Sequence, residues 1–151
     1  NRKSKHQFEV IEMEFKRFGE HYLVRIDRGE EVLAVLETFC QEEGITAAEV
    51  VGIGAADRVT VGLYNVEEQA YHSQTFTGEF EITNLTGSVS QKAGEVYLHF
   101  HITCSQADFT TFGGHLNECR ISGTCELHLV KLQGAVGRRY DSVTGLNIYD
   151  F

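Results

Sequence analysis

Val32-Leu-Ala-Val-Leu-Glu-Thr-Phe-Cys40 is the stretch of this chain with a clear helical rhythm, and it sits among segments that read as strands. Val32, Leu33, Val35, Leu36, Phe39 and Cys40 fall at offsets of zero, one, three, four, seven and eight, which draws an apolar stripe along one side of a helix over residues 30 to 43. Glu31, Glu37, Thr38 and Glu42 take the other side, and Gly44 stands where a left-handed cap would end the element. Outward from it the period shortens. Phe8, Val10, Met13 and Phe15 alternate imperfectly, and His21-Tyr-Leu-Val-Arg-Ile26 follows Gly19 and Glu20, so a first hairpin is predicted with its register left open. Beyond the helix, residues 49–57 predict a strand running into a glycine-rich bend, and residues 59–64 another β-like run. Similar runs recur near residues 70–77, 79–90, 95–104 and 124–132, while Gly134 to Gly145 read as a surface loop or rim. Many short strands, one helix and no proline anywhere predict an α+β domain with a mainly antiparallel sheet.

The chain has 151 residues and is 42% hydrophobic with 10 Phe, enough for one domain with a real core. No apolar run approaches the roughly 20 residues of a membrane helix, and no signal-like segment opens the sequence; a cytoplasmic, membrane-free protein is expected. Cys40, Cys104, Cys119 and Cys125 form no Cys-x-x-Cys knuckle and are expected to stay reduced. Gly52 and Gly54 lack the third glycine of a dinucleotide cradle, position 57 being Asp, so they read as close-packing positions.

Charge is unevenly spread. The net value is −9, yet residues 29–137 carry 4 Lys or Arg against 15 Asp or Glu, a balance of −11. That segment repels phosphate backbones. Residues 1–7, Asn-Arg-Lys-Ser-Lys-His-Gln, form a basic tail ahead of a domain over residues 8–151.

Chemistry converges on histidine. In Val96-Tyr-Leu-His-Phe-His-Ile102 an extended backbone puts Val96, Leu98, Phe100 and Ile102 on one face and Tyr97, His99 and His101 on the other. His115 follows Gly113 and Gly114, expected to make a close turn that directs its imidazole inward. Three neutral imidazoles suit Zn²⁺ with a fourth position left for water or a ligand; a structural polar cluster is the competing reading. Glu79 and Glu81 share a strand face and are candidates to orient a histidine or act as a base through water. Asp108 reads as a polar loop residue, and Arg138 and Arg139 are candidates for an anionic ligand or a subunit contact.

Leu98-His-Phe-His-Ile102 followed by Gly113-Gly-His-Leu116 resembles the plant and prokaryote conserved (PPC, DUF296) domain. The helix, the Gly52 to Gly62 segment, Phe80-Glu-Ile82 with Leu85-Thr-Gly87, and Thr144-Gly-Leu146 add to the likeness. The resemblance implies a compact sandwich or strongly curved sheet assembled as a homotrimer. Plant proteins of this kind bind DNA through separate Arg-Gly-Arg-Pro hooks, which this proline-free chain lacks, and prokaryotic relatives carry a DNA-binding label that the acidic balance weakens. More distantly, the fold resembles zinc-containing acetolactate decarboxylases, whose histidine cluster His99, His101 and His115 match in kind.

The function expected from these signals is a homo-oligomeric binding or scaffold domain with a histidine pocket for metal or ligand, its partners a small anion or another protein. Two alternatives stand beside it: a zinc-dependent enzyme acting on a small oxo- or hydroxy-carboxylate, and a nucleic-acid-binding protein using the basic tail or an assembled patch.

Overall fold

A computed structural model describes residues 13–151; the basic tail, Phe8 and Val10 lie outside the described residues. Strands β1 (Glu14–Phe18) and β2 (His21–Asp27) form the expected hairpin, with Phe18 opposite His21 and Gly19 at φ +61 in the two-residue turn. Along β2, Tyr22, Val24 and Ile26 turn inward and His21, Leu23 and Arg25 outward. Helix α1 (Val32–Glu43) follows, burying Val32, Val35, Leu36, Phe39 and Cys40. Truncating a residue such as Leu36 to alanine would cost about 2–5 kcal/mol.

The ends of α1 show why it starts and stops where it does. Glu31 caps it: its carboxylate accepts from the Leu33 and Ala34 amides at 3.0 Å. The same carboxylate accepts from Cys119 N at 3.0 Å, which pins the helix start to the sheet. At the other end Gly44 adopts φ +64, and its neighbour Ile45 N donates to Cys40 O at 2.9 Å.

The remaining strands are longer than the sequence runs: β3 (Ala48–Asn65), β4 (Ala70–Lys92), β5 (Glu95–Ser105) and β6 (Thr111–Lys131). The predicted bend near Gly52 and Gly54 is instead a register irregularity inside continuous β3. A Cβ at Gly52 would strike Leu127, and one at Gly54 would strike the Thr124 carbonyl, so close strand approach accounts for both glycines. The sheet runs β1-β2-β6-β3-β4-β5, and β5 then pairs with β6 again. It is therefore so strongly curved that β3, β4, β5 and the first part of β6 close on themselves, while the last part of β6 carries β2 and β1. Every pairing is antiparallel.

One expectation is overturned outright. The segment from Gly134 to Gly145 holds strand β7 (Gly137–Asp141), which pairs with β8 (Leu146–Asp150) in a separate hairpin. Gly137-Arg-Arg-Tyr-Asp141 lacks the alternation of a half-buried strand because its inner face packs against polar and aromatic groups. The hairpin is tied down by Gln91 N donating to Val136 O at 2.8 Å and by Tyr64 Oη donating to Thr144 O at 2.7 Å. None of the helices among the described residues is long and apolar enough to cross a membrane.

Candidate metal centre

β5 alternates as its sequence predicts. Phe100, Ile102 and Cys104 are buried in the core, and His99 and His101 face outward from the same strand. The third imidazole arrives by register: His101 pairs directly with His115 across β5 and β6. Residues directly opposite in an antiparallel pair share a face, so all three rings stand together.

Gly113 and Gly114 play a different part from the predicted turn. Both lie within extended β6, where a Cβ on Gly113 would press on Ile102 O and one on Gly114 on Gly62 O. Their lack of a side chain lets β6 approach β5 on one side and β3 on the other. Sheet closure, and not a bend, brings His115 to the pair.

The ring centroids are separated by 5.3 Å (His99 to His101), 5.5 Å (His99 to His115) and 5.7 Å (His101 to His115). One nitrogen from each ring lies within 4.8 Å of the other two. Zinc–imidazole bonds of about 2.0–2.1 Å in a tetrahedral arrangement require nitrogens roughly 3.4 Å apart. His99 and His101 are exposed, and rotation of their side chains would close that gap. Among the described residues no side-chain hydrogen bond engages any of the three rings.

Basicity is tuned in the same direction. Partial desolvation at the strand surface, followed by the charges of His115, His101 and Arg138, lowers the His99 pKa below the ordinary histidine value although the side chain is exposed. Burial and then His101 lower that of His115. Neutral imidazole is the form that ligates a metal, and the surroundings of His99 and His115 favour it. Tyr71 buttresses the set: it packs edge-on to His115 at 5.9 Å, lies across Gly62 where a Cβ would intrude into its ring, and receives a hydrogen bond from Asn117. Tyr71 and Asn117 went unnoticed in the sequence because only the folded register places them beside His115.

The other candidates separate. Glu79 and Glu81 are exposed opposite Phe80 and Ile82, as their parity implies. Glu81, however, pairs with Ser105, whereas His101 pairs with Thr86, five residues along β4. At about 3.3 Å per residue that is roughly 16 Å from the histidine row. Asp108 sits in the β5–β6 turn, where its carboxylate accepts from Thr110 N at 3.0 Å and from Thr110 Oγ1 at 2.6 Å, holding its pKa below the usual value. Arg138 is brought in beside Tyr97, while Arg139 is exposed on the hairpin's other face. The four cysteines are free and buried; burial raises Cys40 and Cys125 to about 12 and Cys104 to about 11, which keeps them protonated.

The profile of the Plants and Prokaryotes Conserved (PCC) domain matches residues 13–133. The chain belongs to this family. No curated protein matches the chain. Among solved structures, a candidate DNA-binding protein from Bacteroides thetaiotaomicron is 37% identical, with a TM-score of 0.90 over 92% of this chain and 97% of its own. A metal-containing protein from Archaeoglobus fulgidus is 31% identical, with a TM-score of 0.83 over 95% of this chain and 100% of its own. A plant- and prokaryote-conserved protein from Pyrococcus horikoshii is also 31% identical, with a TM-score of 0.82 and coverage of 92% and 94%. The acetolactate decarboxylase of Bacillus subtilis is distant, at 11% identity and a TM-score of 0.49, and its chemistry is not carried over.

Proposed function

We propose that this PCC-family domain is a homotrimeric binding module whose outer histidine face holds one zinc ion through His99, His101 and His115. The observation that carries this reading is the convergence of three imidazole nitrogens within 4.8 Å, with no hydrogen bond among the described residues to occupy them. A cation that accepts all three lone pairs at once is the partner that this convergence suits. A metal-containing relative at 31% identity supports the same reading. When bound, zinc would supply Lewis acidity toward an oxygen ligand in its open position. The chain's own groups favour the neutral form of His99 and His115, and Tyr71 packs against His115.

Assembly is supported by a second surface. Leu23, Val51 and Ile53 are 50%, 41% and 61% exposed, and they border an open groove of about 640 Å³ across β2, β6 and β3. Rows of exposed aliphatic side chains on a sheet mark contact surfaces, and β1 beside them is an edge strand among the described residues.

The zinc reading is tested by titrating purified, metal-stripped protein with zinc and repeating the titration on His99→Ala and His101→Ala. One equivalent per chain, lost in both variants, is the expected result; a wild-type chain that takes up no zinc overturns it. Sedimentation equilibrium is expected to return three times the chain mass, and a monomer across micromolar concentrations would refute the assembly. The relatives' DNA-binding names meet the −11 balance of residues 29–137, so duplex DNA is expected to show no retention by the folded domain at moderate salt.

A further inference from the structure

The three imidazoles stand where two strands part. β5 and β6 pair from Ser105 with Thr111 as far as His101 with His115, and their ladder ends at that pair. From there β5 stays beside β4, with His99 opposite Ser88, while β6 follows β3, with Leu116 opposite Val61 and Glu118 opposite Thr60. Asn117 is passed over in that register. It is the extra residue of a β-bulge, a device that turns a side chain out of its regular direction. If the β5–β6 register were continued, position 117 would fall opposite His99.

Tyr71 comes to the same place from β4. Its ring is edge-on to His115 with 5.9 Å between centroids, and Gly62 of β3 lies directly opposite His115. A Cβ on Gly62 would strike the Tyr71 hydroxyl itself, so glycine at 62 gives that hydroxyl its place beside the triad. Asn117 Nδ2 donates to Tyr71 Oη, and neither side chain makes another side-chain hydrogen bond among the described residues. Both are open to solvent, Tyr71 being 43% exposed and Asn117 exposed. A phenol offers one donor and a primary amide two. Their mutual contact spends one of the three, whichever way round the amide is turned, and two are left at the edge of the metal-ligand set.

We propose that Tyr71 and Asn117 form a donor pair that selects a small oxyanion as the ligand in the open position of the metal. This rests on the zinc reading above. Three neutral imidazoles leave a divalent ion its full charge, and no carboxylate joins the group among the described residues, so an anion is favoured there over a neutral ligand. Unspent O–H and N–H donors favour an anion whose acceptor is oxygen, because a hydrogen bond to an ionised acceptor is about twice as strong as one between neutral groups. The pair contacts the ligand and not the ion. It therefore controls which ligand is held rather than how tightly the metal is.

Cobalt(II) is the probe of the metal site, since its visible absorption responds when the open position changes ligand. Acetate and inorganic phosphate are the oxyanions, and thiocyanate is the anion without an oxygen acceptor. Wild type, Tyr71→Phe and Asn117→Ala are compared, phenylalanine keeping the ring against His115 while removing the hydroxyl. Cobalt affinity is expected to be equal in all three. Acetate affinity is expected to fall about 10-fold in Tyr71→Phe, the scale of a lost hydrogen bond to a charged group, and by a smaller factor in Asn117→Ala, with thiocyanate affinity unchanged in both. A loss for phosphate larger than that for acetate also supports the pair and assigns it to phosphate rather than carboxylate. Equal affinity of wild type and Tyr71→Phe for both oxyanions overturns the proposal, and so does an equal loss for thiocyanate, which would make Tyr71 a support of the metal only. A wild-type chain that takes up neither cobalt nor zinc defeats the metal reading and this one together, at the loading step and before any anion is added, so the two failures are told apart. If Tyr71→Phe does not fold, Asn117→Ala decides: an acetate-to-thiocyanate affinity ratio equal to that of wild type overturns the pair.

Discussion

Strand β6 carries two histidine groups that behave in opposite ways. Toward its far end His128 meets His21 of β2, Nε2 to Nδ1 at 2.8 Å, with the rings stacked at 24° and 5.0 Å between centroids. That contact engages one nitrogen of each ring, one donating and the other accepting. Near its start His115 meets His101 and His99 at comparable centroid distances, yet the rings are tilted by 38° to 82° and share no hydrogen bond. Proximity alone does not make a ligand site. Two imidazoles that face each other can pair nitrogen to nitrogen; the three that converge here leave one nitrogen each without a side-chain partner among the described residues.

Removing a member of each group breaks this contrast most visibly. His101→Ala is expected to weaken zinc binding by more than about 100-fold, beyond the effect of losing an outer partner, while His128→Ala leaves it unchanged; competition against a chromophoric chelator measures both. Gly62→Ala is a subtler cut, since the new methyl group displaces Tyr71 from its place against His115. Zinc affinity in that variant is expected to drop about 10-fold, with His99 and His101 untouched.

Acid sharpens the difference further. Because His99 and His115 have lowered pKa values in the fold, the unfolded chain takes up protons first. The metal-free domain is therefore most stable above the ordinary histidine pKa of about 6.5 and loses stability as pH falls below it. Thermal midpoints recorded from pH 7.5 downward are expected to show that loss, with a shallower slope in the His99→Gln/His115→Gln double variant. The smallest effect belongs to the pair of His21 and His128: His128→Gln is expected to change unfolding stability by under about 1 kcal/mol in urea titrations, as an exposed hydrogen bond should.

What could be read from the sequence was whatever repeats within a few residues. The stripe from Val32 to Cys40 and the alternation from Val96 to Ile102 are local, and both elements formed as expected. Gly113 and Gly114 show the limit. A glycine pair signals either a turn or a close approach, and only knowing that Ile102 O lies on one side and Gly62 O on the other decides between them. Arg138 was visible as a cation, but its separation from Arg139 depends on Ser90 and Tyr97, some forty residues earlier in the chain. Glu81 failed to join the histidines for the same reason: strand parity fixes a face, whereas position along that face depends on pairing register.

The placement of β6 between β2 and β3 also bears on how the chain is made. His21 precedes its partner His128 by 107 residues, so at about 5–20 residues per second on a ribosome the inner edge of β2 waits roughly 5–20 s for its neighbour to be synthesised. Throughout that interval the β1–β2 hairpin presents an open strand edge bearing Tyr22, Val24 and Ile26, all destined for the core. Until β6 is made that edge lacks its native cover, and substitutions that slow passage through residues 111–131 would lengthen its exposure without altering the finished fold.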